Sequence, residues 1–175
     1  NKIQVVKQAD VVMLLYLLEH KFSKEVKKAN YDYYEKRTLH DSSLSLSTHS
    51  ILASDIDEKD LAYKLFQEAT KIDLGENMKT SDHGIHAASL GGLWQIVVNG
   101  FGGVRMVGGN LRINPKLPEN WSRLSFSFMW KGNKLDIELT KEGIKIEVKD
   151  EMLEEIEILV YDKKYVLNQI LKIKF

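Results

Sequence analysis

Two histidines and a pair of glycines fall within one stretch of the sequence, residues 79–103, which reads KTSDHGIHAASLGGLWQIVVNGFGG. His83 and His86 are three residues apart, so a helix that begins just beyond His83 would place both on or beside its first turn. The free backbone N–H groups of a first turn favour a bound anion. Gly91 and Gly92 leave room for a close neighbour, because neither has a side chain that would hold another backbone or a ligand away. The stretch therefore predicts a site for an oxyanion or a phosphate.

A second polar block, LHDSSLSLSTHSILA at residues 39–53, has hydroxyl-bearing side chains at six positions. Serine and threonine compete for backbone hydrogen bonds and favour helix starts, so we expect Asp41 or Ser42 to cap a helix that runs to about Ser54. Small hydroxyl donors at a helix start also suit an oxyanion. His49 is expected to be a hydrogen-bonded residue of the core or the surface.

Three ordered blocks of the sequence resemble glycoside hydrolase family 65, the maltose, trehalose and kojibiose phosphorylases. They are KQADVV at residues 7–12, the hydroxyl-rich block at 39–53, and TSDHGIHAASLGGLWQIVVNGFGGVRM at 80–106. The resemblance covers most of residues 4–114. Beyond that point the likeness is of domain type alone, a small C-terminal β domain.

The resemblance implies roles for individual residues. Lys7 and Gln8 would contact the sugar, although the residues alone favour a solvated lysine and a polar helix cap. The phosphate-binding residues that it implies are Ser42, Ser43 and His86, with His83 as a further candidate. The general-acid glutamate of the family lies upstream of residue 1, so no catalytic acid is expected in this chain.

The function implied is that of an inverting disaccharide phosphorylase, of which this chain would be the C-terminal part. Such an enzyme cleaves an α-glucosidic disaccharide, here expected to be of the maltose type, with inorganic phosphate to give β-glucose 1-phosphate and glucose. No cofactor is expected, since phosphate is the nucleophile and co-substrate. The expected partners are the disaccharide, phosphate, the remainder of the same polypeptide and a second copy in a homodimer. The 175-residue chain alone is expected to be inactive, because its pocket and its acid are incomplete.

Three alternatives remain open. In a hydrolase related to the family, such as a trehalase, Asp41 or Asp82 would be the base that activates water. A non-catalytic scaffold, with helices that carry a β domain for assembly, is the second alternative. A metal site formed by Asp82, His83 and His86 is the third, but its spacing is loose and neither cysteine nor an HExxH pattern supports it, so no metal is expected.

Composition excludes several classes of partner. The 25 basic and 25 acidic residues cancel, so the chain has no net field to attract nucleic acid or an anionic membrane. The most apolar run, residues 11–18, is far shorter than the roughly 20 residues that span a bilayer. The absence of cysteine fits a reducing compartment, and we expect a cytoplasmic protein.

The elements that would position these residues divide the chain in two. An apolar helix is expected at residues 8–20, enclosed on every side, and an amphipathic helix begins near residue 57. After Gly103 the apolar spacing changes from the helical period to the alternation of strands. The predicted fold class is therefore α+β: residues 1–103 form the last helices of an (α/α)6 barrel, and residues 104–175 form a small antiparallel β-sheet or sandwich domain. No cluster of titratable residues stands out in the second part, which predicts a packing role.

Overall fold

The computed structural model describes residues 4–74, 84–150, 152 and 155–175. The chain divides into two compact units, residues 1–100 and residues 101–175, called here the helical unit and the β unit. Helices precede strands throughout, so the predicted fold class is confirmed.

The helices of the helical unit are short to medium in length. Their bounds are α1 (Asp10–Leu17), α2 (Lys24–Glu35), α3 (Ser45–Asp55), α4 (Lys59–Leu74) and α5 (Ala87–Gln95). A short 3₁₀ turn, Glu19–Lys21, follows α1, and a π-helical segment, Ile96–Phe101, continues α5. No helix within the described ranges is long and apolar enough to cross a bilayer.

Helix α3 is the centre of the helical unit, because its residues 45–54 are all buried and it contacts α1, α2, α4 and α5. Its hydroxyl groups need partners at that depth, since a buried polar group without one is costly. Ser50 Oγ donates a hydrogen bond to the Ala62 carbonyl at 2.8 Å, and Ser54 Oγ donates to the Gly100 carbonyl at 3.1 Å. These bonds attach α3 to α4 and to the segment after α5.

The contacts of α3 fix the directions of its neighbours. The middle of α5 lies against the start of α3, since a Cβ placed on Gly92 would fall 2.6 Å from Ser47 Oγ. Further along both segments, Gly100 bonds to Ser54. Helices α3 and α5 are therefore parallel, whereas α4 returns antiparallel after a three-residue connection, residues 56–58. The N-termini of α3 and α5 and the C-terminus of α4 lie at one end of the helical unit.

Helix α1 differs from the expectation that other elements would enclose it on every side. Val12, Leu15 and Tyr16 are buried, and Asn99 donates a 2.8 Å hydrogen bond to the Tyr16 hydroxyl. The opposite side is exposed to solvent by 42 to 61% within the described part of the chain, at Met13, Leu14, Leu17 and Leu18. The described residues thus cover one side of this apolar helix.

Within its described residues, the β unit contains two four-stranded sheets. Its strands are β1 (Val104–Val107), β2 (Asn110–Ile113), β3 (Arg123–Trp130), β4 (Asn133–Thr140), β5 (Gly143–Val148), β6 (Ile156–Val160), β7 (Lys163–Leu167) and β8 (Ile170–Lys174). The strand order is β1-β2-β6-β7 in one sheet and β3-β4-β5-β8 in the other. Alternate residues of the strands are buried, and this apolar side supplies the core.

One strand pair differs from the predicted antiparallel arrangement. Strands β2 and β6 pair in parallel, with Leu111 opposite Ile158 and Ile113 opposite Val160. The three intervening strands belong to the other sheet, so the chain returns to β2 by a long crossover and not by a hairpin. Parallel pairing requires such a crossover.

Candidate functional site

The Lys7-Gln8 pair and the hydroxyl-rich block are brought together by a short parallel bridge. The Val6 N–H donates to the Arg37 carbonyl at 2.9 Å, and the Leu39 N–H donates to the Val6 carbonyl at 3.3 Å. Lys7 and Gln8 therefore lie beside the segment that leads into α3. Both are exposed, and neither makes a side-chain hydrogen bond to any residue that the structure describes.

The start of α3 differs from the predicted cap. The cap position is Leu44, and no side chain caps the helix there. Ser42 Oγ instead accepts a hydrogen bond from the Leu44 N–H at 3.3 Å, and the Ser42 carbonyl accepts one from the Ser45 N–H at 3.4 Å. Ser42 thus closes a separate turn just before the helix, because a serine side chain can bond to a backbone N–H two residues on. Asp41 is exposed and takes no part in the cap.

The hydroxyl of Ser43, the next residue in this turn, is half-buried. It makes no hydrogen bond within the described part of the chain. A serine hydroxyl has one donor and two acceptor positions, so the group retains its full capacity to bind a ligand. Ser43 therefore keeps its donor for an anion, and so does Ser42, whose Oγ acts in this turn as an acceptor.

His40 is linked to this turn through Ser45. Its backbone has a φ of 52°, in the left-handed region that few residues other than glycine adopt. Its Nδ1 lies 3.1 Å from Ser45 Oγ, which in turn lies 3.3 Å from the Ser42 carbonyl. Burial lowers the pKa of His40, although the carboxylate of Glu35, 3.8 Å from Nε2, opposes that shift. At neutral pH the imidazole is therefore neutral, and its contact with Ser45 stabilises the turn.

His49 was expected to be a hydrogen-bonded residue, and that expectation is wrong. The side chain is completely buried, and neither ring nitrogen has a hydrogen-bond partner among the described residues. Its ring contacts those of His40 and Tyr31, with centroids 4.6 and 5.6 Å away. Burial, with a smaller effect of His40, lowers the pKa of His49 to about 3. His49 is a neutral packing residue at neutral pH.

His86 occupies the cap position of α5, as the sequence predicted for a residue at the start of that helix. Its ring Nδ1 lies 2.7 Å from Asp73 Oδ1, and its backbone N–H donates to both carboxylate oxygens at 3.2 and 3.3 Å. Asp73 lies in the last turn of α4 and was not identified from the sequence. A signal was present, because an acidic residue near a helix C-terminus is unfavourable for the helix dipole unless another group compensates for it.

The remaining histidine candidate, His83, lies outside the described residues, and so does Asp82. The structure shows no group of three or more histidine, aspartate or glutamate side chains arranged to hold a metal ion within residues 4–74, 84–150, 152 and 155–175.

The β unit carries a charged surface that was not predicted from the sequence. On the exposed face of β3, β4 and β5, Ser127 donates to Asp136 at 2.5 Å, and Lys149 lies within 3.5 Å of both Asp136 and Glu147. Acidic and basic groups pair across this face. The cluster could not be assigned from the sequence, because its members lie on three successive strands and meet only through the register of their pairing.

Comparison with known proteins identifies two family domains in the chain. The profile of the "Glycosyl hydrolase family 65 central catalytic domain" matches residues 1–95, and that of the "Glycosyl hydrolase family 65, C-terminal domain" matches residues 104–167.

Individual relatives agree with these matches. A kojibiose phosphorylase of Halothermothrix orenii is 48% identical over 94% of this chain and 22% of its own length. An α,α-trehalose phosphorylase of Thermoanaerobacter brockii is 45% identical over 95% of this chain and 21% of its own. A 1,2-α-glucosylglycerol phosphorylase of Bacillus selenitireducens is 39% identical over 94% and 22%. The chain thus spans about a fifth of the length of these curated relatives.

A solved structure has the same fold. A putative kojibiose phosphorylase from the human microbiome superposes with a TM-score of 0.90 at 38% identity, over 98% of this chain and 25% of that one.

Proposed function

The chain belongs to glycoside hydrolase family 65, and on that premise we propose that it is part of an inverting disaccharide phosphorylase. The enzyme would cleave an α-glucosidic disaccharide with inorganic phosphate and release β-glucose 1-phosphate. Phosphate would bind among Ser42, Ser43 and His86, and Lys7 and Gln8 would contact the neighbouring glucosyl unit. Three relatives that carry phosphorylase names support this reaction class.

The observation that carries the proposal is the convergence of polar groups at one end of the helical unit. The starts of α3 and α5 lie at that end because the two helices are parallel. The residues before α1 lie beside the segment that enters α3. Helix starts present free N–H groups and positive partial charge, which attract phosphate. The Lys7 ammonium and the Ser43 hydroxyl make no hydrogen bond to other described residues and add donors to the same region.

A phosphorylase makes different demands on this site than a hydrolase. Phosphate is already an anionic nucleophile and needs only to be held in line, whereas water needs a carboxylate base. The described residues at this end supply the hydroxyls of Ser42 and Ser43, the Lys7 ammonium and the His86 imidazole. Carboxylates are present too: Asp73 is engaged with His86, whereas Asp41, which the hydrolase alternative would use as its base, is exposed.

The disaccharide itself is part of the proposal. The relatives described above are named for kojibiose, trehalose and glucosylglycerol. We therefore infer a kojibiose-like or trehalose-like α-glucoside in preference to the maltose type that the sequence suggested. The cytoplasmic location and the homodimer remain predictions.

The rest of the polypeptide is the partner that we propose for the exposed side of α1. Four large apolar side chains there are exposed, and such a patch on a soluble protein marks an interaction surface. The chain covers about a fifth of its relatives' length, so most of the barrel would come from elsewhere in the enzyme. The 175-residue chain alone should therefore show no phosphorolysis, and activity of the isolated chain would contradict this part of the proposal.

Substitution of His86 tests the phosphate site in the full-length enzyme. Charge-assisted hydrogen bonds contribute about 1.5 to 3 kcal/mol, so His86→Ala should weaken phosphate use by roughly tenfold to a few hundredfold. His20→Ala is the matched control, because His20 is exposed and has no side-chain partner among the described residues. Equal kcat/KM values for phosphate in the two variants would refute the assignment of His86.

The hydrolase alternative makes the opposite prediction at Asp41. If Asp41 activated water, Asp41→Asn would abolish turnover and phosphate concentration would not affect the rate. The phosphorylase proposal expects the phosphate dependence to persist in Asp41→Asn, since no base is needed.

A further inference from the structure

The carboxylate of Asp73 holds His86 at two points. It accepts the hydrogen bond of the His86 backbone N–H at 3.2 and 3.3 Å and lies 2.7 Å from the ring Nδ1. Asp73 is the last-turn residue of α4, and His86 caps α5, so this contact ties the end of one helix to the start of the other. Among the described residues, Asp73 is the ionisable group in contact with His86.

The contact determines which ring nitrogen carries a proton. An ionised carboxylate accepts hydrogen bonds and cannot donate them. The hydrogen bond from the His86 ring, more than any other cause, holds the pKa of Asp73 below its usual range, so the carboxylate is ionised at neutral pH. Nδ1 must therefore be the donor in both the neutral and the charged imidazole. Nε2 is the nitrogen that gains and loses the second proton.

Nε2 makes no hydrogen bond within the part of the chain that the structure describes, and the His86 side chain retains 38% exposure. The Asp73 side chain, by contrast, is 13% exposed. In the Asp73–His86 pair, the carboxylate is thus largely buried, whereas the His86 ring remains accessible. This is the arrangement by which metal-bound and catalytic histidines are oriented by a second residue.

We propose that Asp73 is a positioning residue for phosphate, which fixes the ring orientation and the Nδ1–H form of His86 so that Nε2 faces the anion. There Nε2 accepts the P–O–H proton of hydrogenphosphate in the neutral ring and donates its own proton in the imidazolium. The proposal rests on the phosphate role of His86 proposed above.

Replacement by asparagine separates charge from geometry. In Asp73→Asn of the full-length enzyme, the amide oxygen can still accept a hydrogen bond from the His86 backbone N–H. The contact between the end of α4 and the start of α5 is therefore kept. Without the anionic carboxylate the His86 ring is no longer held in the Nδ1–H form, so the KM for phosphate should rise by about tenfold. The kcat at saturating phosphate should change much less.

Two further variants control for a merely structural role. Asp60→Asn removes the same charge from α4 at an exposed position without a side-chain partner among the described residues, and should leave the KM for phosphate unchanged. Asp73→Glu restores the charge and should recover part of the lost phosphate affinity. An unchanged phosphate KM in Asp73→Asn, or the same increase in Asp60→Asn, would overturn the proposal.

Nitrogen NMR of the histidine rings distinguishes failure of this proposal from failure of the phosphate site. In histidine-labelled full-length enzyme, neutral His86 should show the Nδ1–H form, and Asp73→Asn should shift it towards Nε2–H. If inorganic phosphate leaves the His86 signals unchanged while the tautomer follows Asp73, the phosphate site is wrong and the positioning contact stands. If phosphate perturbs His86 but the tautomer ignores Asp73→Asn, the positioning role is wrong.

Discussion

The contact between Gly92 and Ser47 sets the spacing of the two helices whose starts form the candidate phosphate site. Gly92 is buried in α5, and a Cβ added there would fall 2.6 Å from Ser47 Oγ and 2.8 Å from Ser47 Cβ. The second atom is rigidly attached to α3, so rotation of the serine cannot relieve the clash. Gly92→Ala should therefore push α5 away from α3.

The neighbouring glycine provides the matched control. Gly91 is exposed, and a Cβ there would meet no atom within 4 Å in the described part of the chain. Both substitutions gain the same helix propensity, about 1 kcal/mol, because both positions lie inside α5. Overpacking costs about 1 to 3 kcal/mol. The propensity gain cancels between the two variants, so Gly92→Ala should be less stable than Gly91→Ala by about 1 to 3 kcal/mol.

Urea denaturation of the full-length enzyme, followed by circular dichroism, measures the difference in the free energy of unfolding. Phosphate kinetics give a second readout, since displacement of α5 moves His86 away from Ser43. We expect a higher phosphate KM in Gly92→Ala and an unchanged one in Gly91→Ala. Equal stabilities and equal KM values in the two variants would refute the inference that α3 and α5 are in contact at this point.

Three further predictions test the packing. The folded pKa of His49, about 3, lies below the ordinary value of 6.5, so the unfolded chain takes up the proton first and stability falls as pH drops from 6.5 towards 3. His49→Phe should remove up to about 1.4 kcal/mol per pH unit of that loss, and an unchanged pH dependence of urea unfolding would contradict it. Ser50→Ala should cost about 0.5 to 1.5 kcal/mol through the lost bond to Ala62, and no loss in denaturation would count against that bond. Leu139→Ala, at a position with 0% exposure, should cost about 2 to 5 kcal/mol, whereas the exposed Met129→Ala should cost little, and equal effects would refute the assigned core face.

The order of the elements was predictable because it depends on local pattern. The change from helical spacing to alternation near Gly103 is readable over a few residues and locates β1, which begins at Val104. The placement of His86 at a helix start follows from the same kind of local signal.

Tertiary contacts were not predictable by that route. Nothing in the spacing of Asp73 and His86 indicates that they meet, because the contact spans 13 residues and depends on how α4 and α5 pack. The parallel pairing of β2 with β6 is similar, since both strands alternate equally well in either orientation. His49 lacks a polar partner among the described residues because the rings of Tyr31 and His40 pack against it. Local sequence pattern does not reveal these contacts.

The dependence of the rate on inorganic phosphate tests the central claim most directly. Purified full-length enzyme would be given kojibiose or trehalose, with and without phosphate, and the products would be followed by proton and phosphorus NMR. A phosphorylase predicts negligible turnover without phosphate, and with phosphate equal amounts of glucose and β-glucose 1-phosphate. Cleavage of either sugar at the same rate in both conditions, with glucose as the sole product, would contradict the account.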